Sequence, residues 1–180
     1  MPRYAAFLRG VNLGKSRRVK SSELCAACED AGLTDVAAFR ASGNVVFNAD
    51  GGSAAELTGR VEAALAKALG FDVVVFLRSA KQVREIAAHE PFAAAAVSRS
   101  KGKLQVALLA EKPTAADRRA ALDFATDDDL LAVKGRELYW LPKGGTADSD
   151  LDQKQLEKAV GPWTMRTMGT IEQIATKFFA

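Results

Sequence analysis

The feature that most constrains this chain is the order in which short apolar runs alternate with amphipathic stretches. Residues 4–9 are an apolar run that ends at Gly10 and reads as a strand. Residues 21–31 read as a helix with Leu24, Cys28 and Ala31 on one face and Gly32 as its stop. Residues 36–41 and 44–47 read as two strands joined by a turn at Ser42 and Gly43. Ser53 and Glu56 have the spacing of a capping box, in which the serine accepts from the third amide and the glutamate reaches back. They open a helix with Leu57, Val61, Ala64, Leu65 and Ala68 facing inward, stopped at Gly70. Residues 71–77 are a β-branched strand. The resulting order, β-α-β-β-α-β, is the ferredoxin-like plan.

The order then repeats. Ser79 and Gln82 cap a helix that ends before Pro91, and residues 92–102, small, polar and basic, read as a linker. Strands are expected at 104–109, 130–134, 137–141 and 163–166, and helices at 114–125 and 151–160, with a last helix capped by Thr170 and Gln173. LAKALG at 65–70 echoes LEKAVG at 156–161, which supports a duplication. The expectation is an α+β protein of two tandem ferredoxin-like halves, 1–80 and 103–180, joined by a helix and linker at 81–102. Each antiparallel sheet packs its helices on one face and leaves the other open, and two such faces can cover one another or form a cleft. A chain of 180 residues buries roughly 70% of the surface its unfolded form exposes, so neither disulfides nor metals are needed to hold it.

Charge and rare residues exclude several function classes. Lysine and arginine number 25 against 22 acidic residues, a net charge of +3 and far from that of a DNA-coating protein. His89 is the only histidine, which removes any mechanism that needs two. It ends a helix, where the negative helix terminus favours its charged form and a general-base role is the alternative. Cys25 and Cys28 have redox spacing, but Cys25 falls a turn inside a helix and no second Cys or His cluster completes a zinc site. Asp127, Asp128 and Asp129 read as a solvated turn rather than a metal site. No secretory signal or membrane span is seen, so a cytoplasmic location with reduced thiols, no cofactor and no membrane contact is expected.

GVNLGKS at 10–16 follows a strand and approaches a phosphate-binding loop, G-x-x-x-x-G-K-[ST], but is one residue short. Its helix also starts too late, after Arg17, Arg18 and Val19. What survives is an anion cradle of Gly10, Asn12, Gly14 and exposed amides among Arg9, Lys15, Arg17 and Arg18, set against a plain solvated basic loop. Nucleic acid is a second anionic partner to weigh. Phe7, Phe39, Phe47, Phe76, Tyr139 and Trp140 fall on expected strands near basic loops at 15–20 and 99–103, yet no RNP pattern is present and strand aromatics also serve as core. Ser42 sits in a turn and lacks the G-x-S-x-G context of a nucleophile.

FLRGVNLG at 7–14, GLTDV at 32–36, SGNVVF at 42–47, LRS at 77–79, Pro91-Phe92, TMR at 164–166 and Thr170-Ile171 together resemble the domain-of-unknown-function 1697 family. The resemblance implies a duplicated ferredoxin-like α+β fold and, the family having no established biochemistry, no chemistry. The chain departs from the family pattern at Lys15, where a second glycine is usual, and at Gln173, where a lysine is usual. Thr167, Met168 and Gly169 replace an Asn-Trp-Asn core, so polar and stacking groups of that block are missing here.

The leading functional expectation is binding of an anionic ligand, a phosphorylated metabolite or nucleic acid, by Arg9, Gly10, Asn12, Gly14 and Lys15. Ser42, Gly43, Asn44, Arg78 and Arg166 are its candidate neighbours, and Arg9 and Arg78 end strands from which they can converge. The competing classes are a small-molecule enzyme using His89, a carboxylate or Ser42, and an assembly module, monomeric or homodimeric, built on an open sheet face.

Overall fold

The structure, a computed structural model, describes residues 1–13 and 15–180. It divides into two compact units, Met1–Glu85 together with Ile174–Ala180, and Ile86–Gln173.

In the first unit β1 (Arg3–Arg9), α1 (Ser21–Asp30), β2 (Thr34–Ala38), β3 (Asn44–Asn48), α2 (Ala54–Leu69) and β4 (Val74–Ser79) follow the expected order. The sheet runs β2-β3-β1-β4 and every pairing is antiparallel. Side chains alternate across a strand, so Ala6, Leu8, Val45, Phe47, Val75 and Leu77 share one face. Leu24, Ala27 and Cys28 of α1 and Leu57, Val61 and Leu65 of α2 cover it. The capping box of α2 forms in both directions, Glu56 N to Ser53 Oγ (3.2 Å) and Ser53 N to Glu56 Oε2 (2.7 Å). The helix stops at Gly70, whose φ of +78° suits glycine.

Four expectations change here. Ala68 is exposed and Ala64 only half-buried; with Ala27, Ala31 and Ala63 they line a cleft of about 380 Å³ that methyl groups are too small to fill. β2 starts earlier and carries a bulge between Thr34 and Ala37, with Asp35 at φ +49°. The expected two-residue turn is therefore a loop over 39–43, closed by Phe39 N donating to Asn44 O (2.8 Å). The second face of the sheet is not open, because Ala5, Phe7, Val46 and Phe76 are all buried.

β4 leads into α3 (Ala80–Ala88), capped as expected by Ser79 and Gln82, each accepting from the other's amide (3.2 and 2.9 Å). The linker expected at 92–102 contains a short helix, α4 (Ala94–Arg99), in a run of four alanines. The second unit then repeats the first: β5 (Gln105–Leu109), α5 (Ala115–Leu122), β6 (Asp129–Lys134), β7 (Glu137–Pro142), α6 (Gln153–Val160) and β8 (Trp163–Thr167), with sheet order β6-β7-β5-β8. Its core joins Leu109, Leu131, Val133, Leu138 and Trp140 to Ala121, Leu156 and Val160 of the helices. α6 stops at Gly161 (φ +87°), the counterpart of Gly70, as the repeated motif requires. α7 (Met168–Phe178) begins earlier than expected. Its cap is Thr167, whose Oγ1 accepts from Thr170 N (3.2 Å), so Thr170 lies in the first turn and is buried there.

Candidate functional site

After Arg9 the chain folds back instead of entering a helix. Ser16 N donates to Leu13 O (2.9 Å) and Asn12 N to Arg17 O (2.8 Å), so Asn12 and Leu13 lie against Ser16 and Arg17 as the two arms of a tight hairpin. Gly14, part of the expected cradle, lies outside the described residues. Asn12 (φ +54°) and Arg17 (φ +52°) both take the left-handed conformation that allows the reversal. The Asn12 side chain then fixes the hairpin: its Oδ1 accepts from Val19 N (2.8 Å) and its Nδ2 donates to Ala41 O.

This geometry separates the site from a phosphate-binding loop. The helix begins at Ser21, several residues beyond Lys15. The amides of Asn12, Ser16 and Val19 are engaged inside the hairpin rather than turned to a ligand. The expected cradle of backbone amides is therefore only partly present, and the chemistry of the loop lies in its side chains. Lys15, Arg17, Arg18 and Lys20 are all exposed. Arg17 lies over the Phe71 ring at 5.0 Å. Among the described residues these four cations make no ion pair.

The structure brings the 42–44 block beside the hairpin. Gly43 O accepts from Leu8 N (2.8 Å), and a Cβ on Gly43 would stand 2.6 Å from Val11 Cγ2. Ser42 and Asn44 serve the loop: Asn44 is fully buried, and its Nδ2 donates to Phe39 O (2.7 Å) and Ser42 Oγ (3.0 Å).

Arg78 is not brought to the hairpin. It pairs with Ala5 while Arg9 pairs with Val74. Four residues of strand, roughly 14 Å, separate those positions, so Arg9 and Arg78 stand at opposite ends of the β1–β4 ladder. Arg78 is buried, with Nη1 on Leu77 O (2.9 Å). Arg166 repeats the arrangement in the second unit: buried, paired with Val106, and bonded through Nη1 to Met165 O and Thr164 Oγ1 (both 2.8 Å). Burial pushes its guanidinium down to about 10, which still leaves it charged at neutral pH. That the two arginines occupy matching places, each just before the capping hydroxyl of the next helix, is legible in Arg78-Ser79 and Arg166-Thr167 once the repeat is aligned.

The other candidates sort by burial. Burial, then Cys25 and Glu29, push the Cys28 thiol up to about 12, and burial also raises Cys25. Both cysteines are free. A pair with so little thiolate is a poor redox couple. At pH 8 a thiol at about 12 is ionised roughly once in ten thousand molecules, against about a quarter for an ordinary cysteine. Native Cys28 should therefore react with iodoacetamide at least ~100-fold more slowly than the same residue in concentrated urea, read by peptide mass spectrometry. Equal rates would mean that α1 opens readily.

His89 packs on Tyr139 (ring centroids 5.0 Å apart). Burial and Lys134 lower its pKa against the pull of Glu137, so the expected gain from the helix terminus is outweighed. Its side chain makes no hydrogen bond among the described residues, and no dyad forms there. Phe7, Phe47, Phe76, Tyr139 and Trp140 are at most 2% exposed, which removes them as stacking platforms for bases. Asp129 is buried rather than solvated. It starts β6, and its Oδ1 accepts from Trp140 Nε1 (2.8 Å) and Ser149 Oγ (2.7 Å). Among the described residues no helix is long and apolar enough to cross a membrane, and no group of three His, Cys, Asp or Glu is placed to hold a metal.

No curated protein matches the sequence. Among solved structures, the conserved bacterial protein SP0830 from Streptococcus pneumoniae is similar in fold. It is 23% identical, with a TM-score of 0.71 over 100% of this chain and 99% of its own. A family model described as "Protein of unknown function (DUF1697)" matches residues 1–139.

Proposed function

The chain belongs to the DUF1697 family of proteins of unknown function, so its chemistry rests on its own residues, and we propose that the 12–17 hairpin and its flanks bind a phosphate-bearing anion. One observation carries this reading: Lys15, Arg17, Arg18 and Lys20 crowd one short exposed segment and have no carboxylate partner among the described residues. Like charges within about a Debye length, ~8 Å at physiological salt, raise one another's energy, and a bound anion relieves it. The Asn12 clamp supports the reading too, since a segment already held in place loses less entropy on binding.

A phosphorylated metabolite and a nucleic acid share the chemistry this hairpin recognises. Salt dependence separates them. A strand neutralised at several phosphates loses affinity with a log–log slope of about 0.7 per contact, whereas one phosphate group gives a shallow slope. Pyrophosphate, ATP and a short single-stranded RNA, titrated at low salt by calorimetry, test the proposal. Binding of at least one is expected. The Arg17→Glu/Arg18→Glu protein should bind roughly tenfold or more weakly, with an unchanged melting curve, because each charged hydrogen bond contributes about 1.5–3 kcal/mol. No binding by any of the three, or equal binding by the double variant, would overturn it.

A further inference from the structure

The second unit holds a cleft of about 500 Å³ where the start of β6, the end of β7 and the 143–150 segment meet the chain just after α4. That volume falls within the range of small-molecule sites. Its walls are tied together. Lys101 N donates to Lys143 O (2.8 Å), Lys143 N to Asp128 O (2.7 Å), and Ser100 Oγ to Pro142 O. Gly102 permits the close approach: a Cβ there would lie 2.8 Å from Pro142 Cγ and 2.9 Å from Pro142 O, and would overlap the Gly144 carbonyl.

Asp129 lines this cleft although it is only 4% exposed. Both of its side-chain partners, Trp140 Nε1 and Ser149 Oγ, donate to Oδ1. Oδ2 receives no donor among the described residues, and no cation pairs with the carboxylate. A buried carboxylate held only by neutral donors keeps most of its charge uncompensated. Both signs also stand open on the rim, where Asp148 and Asp150 are exposed carboxylates beside the cations. Arg99 and Lys101 are exposed and make no ion pair among the described residues, whereas Lys143 is paired with Asp128 (3.3 Å).

We propose that this cleft binds a small zwitterion of the amino-acid class, with its ammonium on Asp129 Oδ2 and its carboxylate on Arg99 and Lys101. An ammonium supplies three donors and fits an acceptor-only carboxylate. The Arg99 fork matches a carboxylate in turn. A simple amine would make no use of the Arg99 fork, and a simple carboxylate would leave Asp129 Oδ2 without a donor. A metal ion is the poorer occupant because no group of three ligating side chains converges here among the described residues. The inference is independent of the hairpin reading.

The chain has two tryptophans, so a nitrogen-labelled sample gives two indole N–H resonances, and that of Trp140 reports directly on Asp129. Glycine, alanine, lysine and glutamate are titrated into the full chain, with ethylamine and acetate as single-charge controls. The Trp140 indole signal is expected to shift saturably with at least one amino acid, and each control should bind at least ~10-fold more weakly. Arg99→Glu/Lys101→Glu changes only exposed side chains and should lose at least ~10-fold in affinity while its amide spectrum stays folded. No shift up to about 10 mM, where even a ~1 mM site saturates, would overturn the proposal. So would controls that bind as well as the amino acids, or a double variant that binds unchanged.

Discussion

Replacing Gly43 with Ala should destabilise the first unit by about 2–5 kcal/mol, the sum of two separate costs. Gly43 has φ +83°, where any L side chain is strained by about 1–2 kcal/mol. The added Cβ would also stand 2.6 Å from Val11 Cγ2 and 3.1 Å from Leu8 Cβ. Both neighbours belong to the buried core, so they cannot swing into solvent, and overpacking of that kind costs about 1–3 kcal/mol. Gly32→Ala separates the terms: Gly32 has φ +80° but nothing within 4 Å of its missing Cβ, so only the conformational cost remains. Urea denaturation of the two variants should show a clearly lower midpoint for Gly43→Ala with little change in slope. Equal midpoints would mean that the contact between Gly43 and Val11 is not tight in solution. The same substitution pushes on the root of the hairpin, so the affinity of the 12–17 segment for anions should fall along with stability.

Much of the fold was legible because period determines it. The helix stripes at Leu24 and Cys28 and at Leu57, Val61 and Leu65 follow helical spacing, although Ala27 rather than Ala31 completes the first, and Ser53 with Glu56 and Ser79 with Gln82 announce their caps. The buried second sheet face is readable as well, and decides between the covered and the open arrangement that the order of elements leaves undecided. AAFL at 5–8, NVVF at 44–47 and VVFL at 74–77 carry apolar residues at both parities, the mark of strands covered on two sides. What local spacing could not show depends on distant partners. The hairpin exists because Asn12 reaches Ala41, 29 residues on, and no count of glycines contains that bond. Asp129 looked like one of three solvated carboxylates because its acceptor role is set by Trp140 and Ser149, 11 and 20 residues away. The clue was its place, two residues before Leu131 and four before Val133 on the core face of β6.

Asp129→Ala should cost about 2–4 kcal/mol, because it removes the charged acceptor of the buried Trp140 indole N–H. Trp140 is 1% exposed with Asp129 in place, so its donor depends on that acceptor, while half-exposed Ser149 can bond to water instead. An unsatisfied buried donor costs about 1–3 kcal/mol, and the lost bond to a charged acceptor accounts for the remainder. One effect opposes this loss, since alanine also removes a buried charge that no cation compensates. Asp129→Asn isolates that effect. Its amide oxygen still accepts from Trp140 and Ser149 while the charge is gone, so its stability should stay within about 1 kcal/mol of the native protein. The two variants therefore separate hydrogen bonding from charge, read by urea denaturation with the Trp140 indole resonance as the local probe. If alanine and asparagine destabilise alike, the indole bond contributes nothing and charge burial dominates. If asparagine keeps the fold but abolishes amino-acid binding in the cleft, then the charge of Asp129 is maintained for the ligand rather than for stability.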